Sequence, residues 1–170
     1  MKKLLSLFII AIVFTSCNTS VESEKIAGKW LLDDSRFEKG YLAGDQKDYD
    51  LVKQFLDAYE NMDPQGMVDL SAETVKFHPA DAAGVFDVDM TNTDFIVERQ
   101  SNWDSISRNY IFIMPLKMED SKNRVVTTAF TETRYVKDGT SESINFYERL
   151  YINEQDQIMR VVQYSRPPND

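Results

Sequence analysis

The sequence predicts an α+β domain, with helices gathered against an antiparallel sheet of about six strands. Three observations carry this. Asp48 to Asn61 places Leu51, Val52, Phe55, Leu56 and Tyr59 at the i, i+3/i+4 spacing of an amphipathic helix. From Asn109 onward the chain alternates apolar and polar residues with period two, as strands do. Asp138-Gly139 then stands between two long alternating runs, a strong hairpin signal. A chain of 170 residues supports one such core.

The elements follow in order. Gly40 and Gly44 mark turns ahead of the first helix, which Asp45 or Asp48 can cap. Asp63-Pro64 starts a second, short helix to Leu70, with Asp as cap and Pro in the first turn. Thr74 to His78 and Val85 to Met90 alternate and read as strands. Thr91 to Ser107 reads as a third helix, its buried stripe made of Phe95, Ile96, Trp103 and Ile106. Asn109 to Met118 then sets Tyr110, Phe112, Met114, Leu116 and Met118 on one strand face. Pro115 cannot donate to a ladder and so places that strand at an edge or a bulge. Arg124 to Val136, Ser141 to Asn153 and Ile158 to Ser165 complete the sheet.

Composition narrows the function. The net charge of −9 argues against nucleic acid, which needs a Lys/Arg surface. One Cys excludes a disulfide framework and a multi-cysteine metal site, and six Gly without a Gly-rich loop leave no phosphate cradle. No cofactor motif is present, and none is expected. Asp87-Val88-Asp89 lacks the Gly that a calcium loop requires, so no metal is expected either.

The N-terminus reads as an address. Lys2 and Lys3 precede an apolar run from Leu4 to Phe14, too short to span a bilayer, which takes about 20 residues. Thr15-Ser16-Cys17 follows, and the whole resembles a bacterial lipoprotein signal, although Phe14 stands where such signals usually carry Leu. The resemblance implies a signal peptide over 1–16 and acylation of Cys17 as the first processed residue. It further implies a membrane anchor in the envelope of a Gram-negative bacterium. Asn18 after the Cys, in place of the Asp that retains such proteins at the inner membrane, favours the outer membrane. The processed chain is strongly acidic, so the acyl chains must hold it there, and stable holding takes more than one. Asn18 to Lys25 reads as a tether within a 17–44 extension, and 45–170 as the folded domain.

The run Leu51-Val52-Lys53-Gln54-Phe55-Leu56-Asp57-Ala58-Tyr59, then Val75-Lys76-Phe77-His78-Pro79 and Gly84, then the closing hairpin Arg149-Leu150-Tyr151-Ile152 to Gln157–Tyr164, carries a second resemblance. In this order they resemble the nuclear transport factor 2-like superfamily, which includes SnoaL-like polyketide cyclases and ketosteroid isomerases. The resemblance implies a strongly curved sheet wrapped over three helices, a cone with a pocket at its wide end. It transfers no catalytic residue, because no position matches the family sites. Ile26-Ala27-Gly28-Lys29-Trp30 separately resembles the Gly-x-Trp opening of lipocalins and leaves a lipid-anchored, lipocalin-like binder as an alternative.

Few residues suggest chemistry. His78, the sole His, suits acid–base work, and Asp81 could orient it, although parity with Lys76 turns it outward. Glu148 shares the apolar parity of Ile144, Phe146, Leu150 and Ile152. Burial there would raise its pKa as a general acid or base requires, unless it pairs across the sheet with Arg160 or Arg134. Glu132 and Arg134 share the parity of Phe130 with the same ambiguity. Trp103, Tyr110, Phe112 and Met114 could line an apolar ligand cavity or simply fill the core. Without a convincing catalytic constellation, the expected function is binding of a small apolar or amphipathic molecule, or of a protein partner, without catalysis. The alternative is an isomerase, dehydratase or cyclase using Glu148 or His78 with Asp81. A homodimer through the exposed sheet face, at Ile111 and Ile113, is a further expectation.

Overall fold

A computed structural model of the chain describes residues 25–122 and 124–168. The signal segment and Cys17 lie outside the described residues. Helix α1 (Gln46–Glu60) turns Val52, Phe55, Leu56, Ala58 and Tyr59 onto the sheet. Its cap position is Asp45, without a side-chain bond; Asp48 is instead buried against Arg124 at 2.8 Å. Helix α2 (Pro64–Asp69) begins as the Asp-Pro signal requires, with the Asp63 carboxylate accepting from the Gly66 backbone N–H at 2.9 Å.

Among the described residues eight strands, not six, form one sheet: β1 (Gly28–Lys29), β2 (Gly40–Ala43), β3 (Ser71–His78), β4 (Phe86–Asp89), β5 (Trp103–Met118), β6 (Arg124–Val136), β7 (Ser141–Ile152) and β8 (Ile158–Arg166). Their order is β1-β2-β5-β6-β7-β8-β3-β4, open between β1 and β4. An open sheet rules out the lipocalin barrel, and the Gly-x-Trp segment is only its short edge strand. The added strands come largely from 26–44, which join the sheet by pairing β2 with β5. The ladder is antiparallel except at β3, which runs parallel to β8.

The third helix is shorter than its spacing predicts. Helix α3 (Asp94–Gln100) stops at Ser101, whose hydroxyl bonds the Glu98 carbonyl. Trp103 and Ile106 belong to β5, laddered to Val136 and Arg134. Ser101, Asn102, Asp104, Ser105 and Ser107 are weak interior helix formers, and a long β6 partner decides the segment.

Strand β5 also departs from simple alternation. Its register shifts between Tyr110 and Phe112, so Ile111 is an extra residue. Tyr110 stays on the inner face over Phe130, ring centroids 5.6 Å apart. Beyond the bulge, parity reverses: Ile113 packs on the core while Phe112 and Met114 are exposed. β2 reaches only Leu116 to Met118, so β5 is an edge strand along most of its length, and Pro115 sits where that pairing ends.

The core lies between the inner sheet face and α1, with Leu56, Phe130, Leu150 and Ile158 almost fully buried.

Candidate functional site

A cavity of about 70 Å³ lies between the helices and the concave sheet face. Phe55, Phe77, Met90, Phe95 and Val161 form its apolar wall, drawn from α1, β3, the β4 end, α3 and β8. Its polar floor is a row of inner-face residues: Arg108 on β5, Glu132 and Arg134 on β6, Glu148 on β7 and Gln163 on β8. Cross-strand register assembles this row, for Arg108 opposes Glu132 and Glu148 opposes Gln163.

Glu132 binds two guanidinium groups. Its Oε2 accepts from Arg108 Nη2 at 2.6 Å and Nε at 2.8 Å, and its Oε1 accepts from Arg134 Nε at 2.6 Å. Arg108 also donates to the Leu56 carbonyl, and its guanidinium carbon lies 4.6 Å and 4.5 Å from the Tyr59 and Phe130 ring centroids. Arg134 stacks 4.3 Å over Trp103 and reaches Glu142. Burial and the Glu132 charge push the Tyr59 phenol up to about 12, so it remains protonated.

Glu148 is 2% exposed. Burial drives its carboxyl above the ordinary glutamate value, against the opposing pull of Arg108 and of the Gln163 Nε2 donor at 2.6 Å. The Gln163 Oε1 is buried and has no partner among the described residues. Neither Arg160 nor Arg134 pairs with Glu148: Arg160 lies on the outer face and Arg134 serves Glu132 and Glu142. Arg99, at the cavity rim, has one loose ion pair, to exposed Asp81 at 3.5 Å.

The other residues singled out from the sequence fall elsewhere. His78 ends β3 and does not line the cavity; burial, then the charges of Arg160 and Lys76, lower its pKa. Among the described residues no hydrogen bond joins His78 to Asp81, which reaches Arg99 instead. Trp103 and Tyr110 pack at the core margin and do not line the cavity. Phe112 and Met114 are corrected from cavity wall to outer surface, because the Ile111 bulge inverts their parity. Arg108 falls between the helix read over Thr91 to Ser107 and the strand read from Asn109, and its inward parity with Ile106 and Tyr110 becomes visible only once β5 is known to start at Trp103. Gln163 carried no signal beyond alternation with Val161.

An open, curved sheet wrapped over helices, with a cavity at their junction, defines the pocket-forming cone folds. Solved structures place the chain among them. A protein from Shewanella denitrificans OS-217 named for SnoaL-like polyketide cyclases superposes with a TM-score of 0.55 at 9% identity, over 72% of this chain and 92% of that one. One from Novosphingobium aromaticivorans named for aromatic ring hydroxylases gives 0.59 at 14%, over 70% and 86%. The LEH-like epoxide hydrolase of M. tuberculosis gives 0.53 at 12%, over 71% and 83%. No protein-family model and no curated protein matches the sequence. The chain has the nuclear transport factor 2-like fold; at these identities the likeness extends to the fold alone.

Proposed function

We propose that this protein is a lipid-anchored binding protein of the bacterial cell envelope, whose cone takes up a small amphipathic molecule without turning it over. One observation carries the reading: the cavity is small, about 70 Å³, and its polar floor is engaged mainly with itself. Both Arg108 and Arg134 are committed to Glu132, and Gln163 to Glu148. What remains for a ligand is the Gln163 Oε1 acceptor, the Glu148 carboxyl and the rim guanidinium of Arg99. These suit a hydroxyl or amide head group, with the apolar part against Phe55, Phe77 and Met90. Pockets for drug-sized ligands run to about 300 Å³ or more, so the ligand is a small one.

The test is the thermal midpoint of the protein against short-chain alcohols, amides and acids. Saturable stabilisation by one of them, abolished by filling the cavity with Val161→Phe, is the expected result. No stabilisation by any of them would sink the reading. Consumption of the ligand, lost in Glu148→Gln, would replace it with the second reading, acid–base catalysis by Glu148. That alternative draws on the burial and raised pKa of this carboxyl, and the fold is shared with proteins named as cyclases and an epoxide hydrolase.

For the anchor, metabolic palmitate labelling at Cys17 and recovery in the outer-membrane fraction are expected. Cys17→Ser should release the protein from membranes, and unchanged fractionation of that variant would remove the anchor.

A further inference from the structure

A second cleft, of about 210 Å³, lies outside the cone. The segment 26–44 folds back along the sheet edge and brings Trp30 and Tyr41 together, ring centroids 6.5 Å apart and edge to face. Between these rings and the ends of β6, β7 and β8, the cleft is walled by Trp30, Arg36, Tyr41, Tyr151, Met159 and Arg160.

Its cations differ in their partners. Arg36 is neutralised by Asp34, through Nε at 3.1 Å and Nη2 at 2.5 Å, and stacks 4.0 Å over Trp30. Arg124, at the far wall, binds Asp48 and Asp156. Arg160 has no carboxylate partner among the described residues, and its Nε is buried with no acceptor. Arg149, behind Tyr41, donates to the Tyr41 hydroxyl at 3.0 Å, but its Nε is likewise buried and unmatched. The two guanidinium groups approach the same Tyr151 ring, at 5.6 Å and 5.2 Å. The Trp30 indole N–H is also buried, near the Asp34 carboxylate but outside hydrogen-bonding geometry.

In a chain of net charge −9, carboxylates are plentiful, yet none among the described residues meets this pair. Two like charges beside one ring, with buried N–H groups facing no acceptor, leave an electrostatic and hydrogen-bonding deficit that an oxyanion would fill. The aromatic and methionine walls suit a flat apolar body attached to that oxyanion.

We propose that this cleft binds a small organic acid, a carboxylate or phosphate monoester carried on an aromatic group. Arg160 holds the oxyanion, Arg149 adds its charge from behind Tyr41, and Trp30, Tyr151 and Met159 pack the ring. The site is separate from the cone and stands whether or not the cone binds or catalyses.

Titrations of the full-length chain with phenyl phosphate, benzoate and inorganic phosphate test it. The indole N–H resonances of Trp30 and Trp103, assigned with a Trp103→Phe variant, report the cleft and the cone separately. A saturable shift at Trp30 with either aromatic acid, Trp103 unmoved, is expected, and the tighter of the two identifies the oxyanion. Inorganic phosphate should bind at least about tenfold more weakly, and Arg160→Gln should raise Kd by about tenfold or more with an unchanged thermal midpoint. Arg160→Lys, which keeps the charge but loses the fork, should fall between. No saturable shift at Trp30 overturns the proposal. So do equal affinity for inorganic phosphate, wild-type affinity in Arg160→Gln, and a shift confined to Trp103.

Discussion

Arg108 and Arg134, inside the cone, both close on Glu132, whereas Arg149 and Arg160, on the outer face, share the Tyr151 ring and, among the described residues, no carboxylate. Both pairs stack on aromatic rings, and both come from β-strands of one sheet. The difference is in what completes them. Inside, the protein supplies the counter-charge, and the network is a finished structural part that walls the cavity. Outside, the described residues supply no counter-charge, and the site reads as completed by something else. An arginine cluster therefore indicates a ligand only after its own carboxylates have been counted.

The largest expected effect breaks the inner network. Glu132→Ala leaves Arg108, only 4% exposed at its side chain, without its carboxylate partner, and leaves Arg134 with the exposed Glu142 alone. Removing one partner of a buried ion network costs about 3–5 kcal/mol, read as a fall in unfolding free energy at neutral pH. Replacing all three charges together, with Arg108→Met, Glu132→Leu and Arg134→Met, should recover most of that loss, because no member of the network is left buried without its partner. A loss below about 1 kcal/mol in Glu132→Ala would mean the inner cations are as weakly coupled to their partner as the outer ones.

Glu148 gives the next effect, through pH. Its folded-state pKa lies above the ordinary 4.5, with burial as the main cause. The folded protein thus holds this proton more tightly than the unfolded chain does. Stability contributed this way is fully present below 4.5 and is lost as pH rises through the folded value. Glu148→Gln should remove that slope and exceed wild type in thermal midpoint at neutral pH. Asp34, held at about 2 by Arg36, and Asp156, lowered by Arg124 and Lys47, act in the opposite sense and below 3.8, so the windows separate. Midpoints of the two proteins that run parallel above pH 4.5 would show that Glu148 does not titrate in this way.

Why the inner cluster is half legible in the sequence, and the outer one is not legible as a cluster, follows from what alternation can carry. Glu132, Arg134 and Glu148 stood out because each is a charge on an otherwise apolar strand face. Phe112 and Met114 misled for the same reason: period two holds only until a bulge, and the Ile111 bulge is marked by no Gly or Pro. Helix α1 was plain from its stripe, whereas α3 was over-extended because Trp103 and Ile106 fit a helical spacing as well as a strand. Arg149 sits on the polar parity of its strand, where arginine is unremarkable, whereas Arg160 shares the nominal parity of Ile158 and reads as an inner-face partner for Glu148 until the register shift beside it turns it outward. Only the return of 26–44 over them, fixed by the pairing of β2 with β5, turns a solvated face into a cleft. Long-range pairing of that kind leaves no local trace in the sequence.

The smallest effect sharpens the comparison most. Arg160→Gln in ligand-free protein removes one cation–π contact, about 0.5–1 kcal/mol, and relieves a buried unmatched N–H. These offset, so stability should stay within about 0.5 kcal/mol of wild type. Arg149→Gln should behave alike, apart from its bond to Tyr41. The informative quantity is their coupling. If the two guanidinium groups repel, whichever substitution comes first relieves the strain, and the second gains less. The double variant should then be less stable than the sum of the singles predicts, by a few tenths of a kcal/mol, and the difference should shrink as salt is raised. The same cycle on Arg108 and Arg134, which share Glu132, should give a larger coupling that salt hardly changes. Equal couplings at both places would mean that the outer pair is compensated after all, and the oxyanion would lose its physical motive.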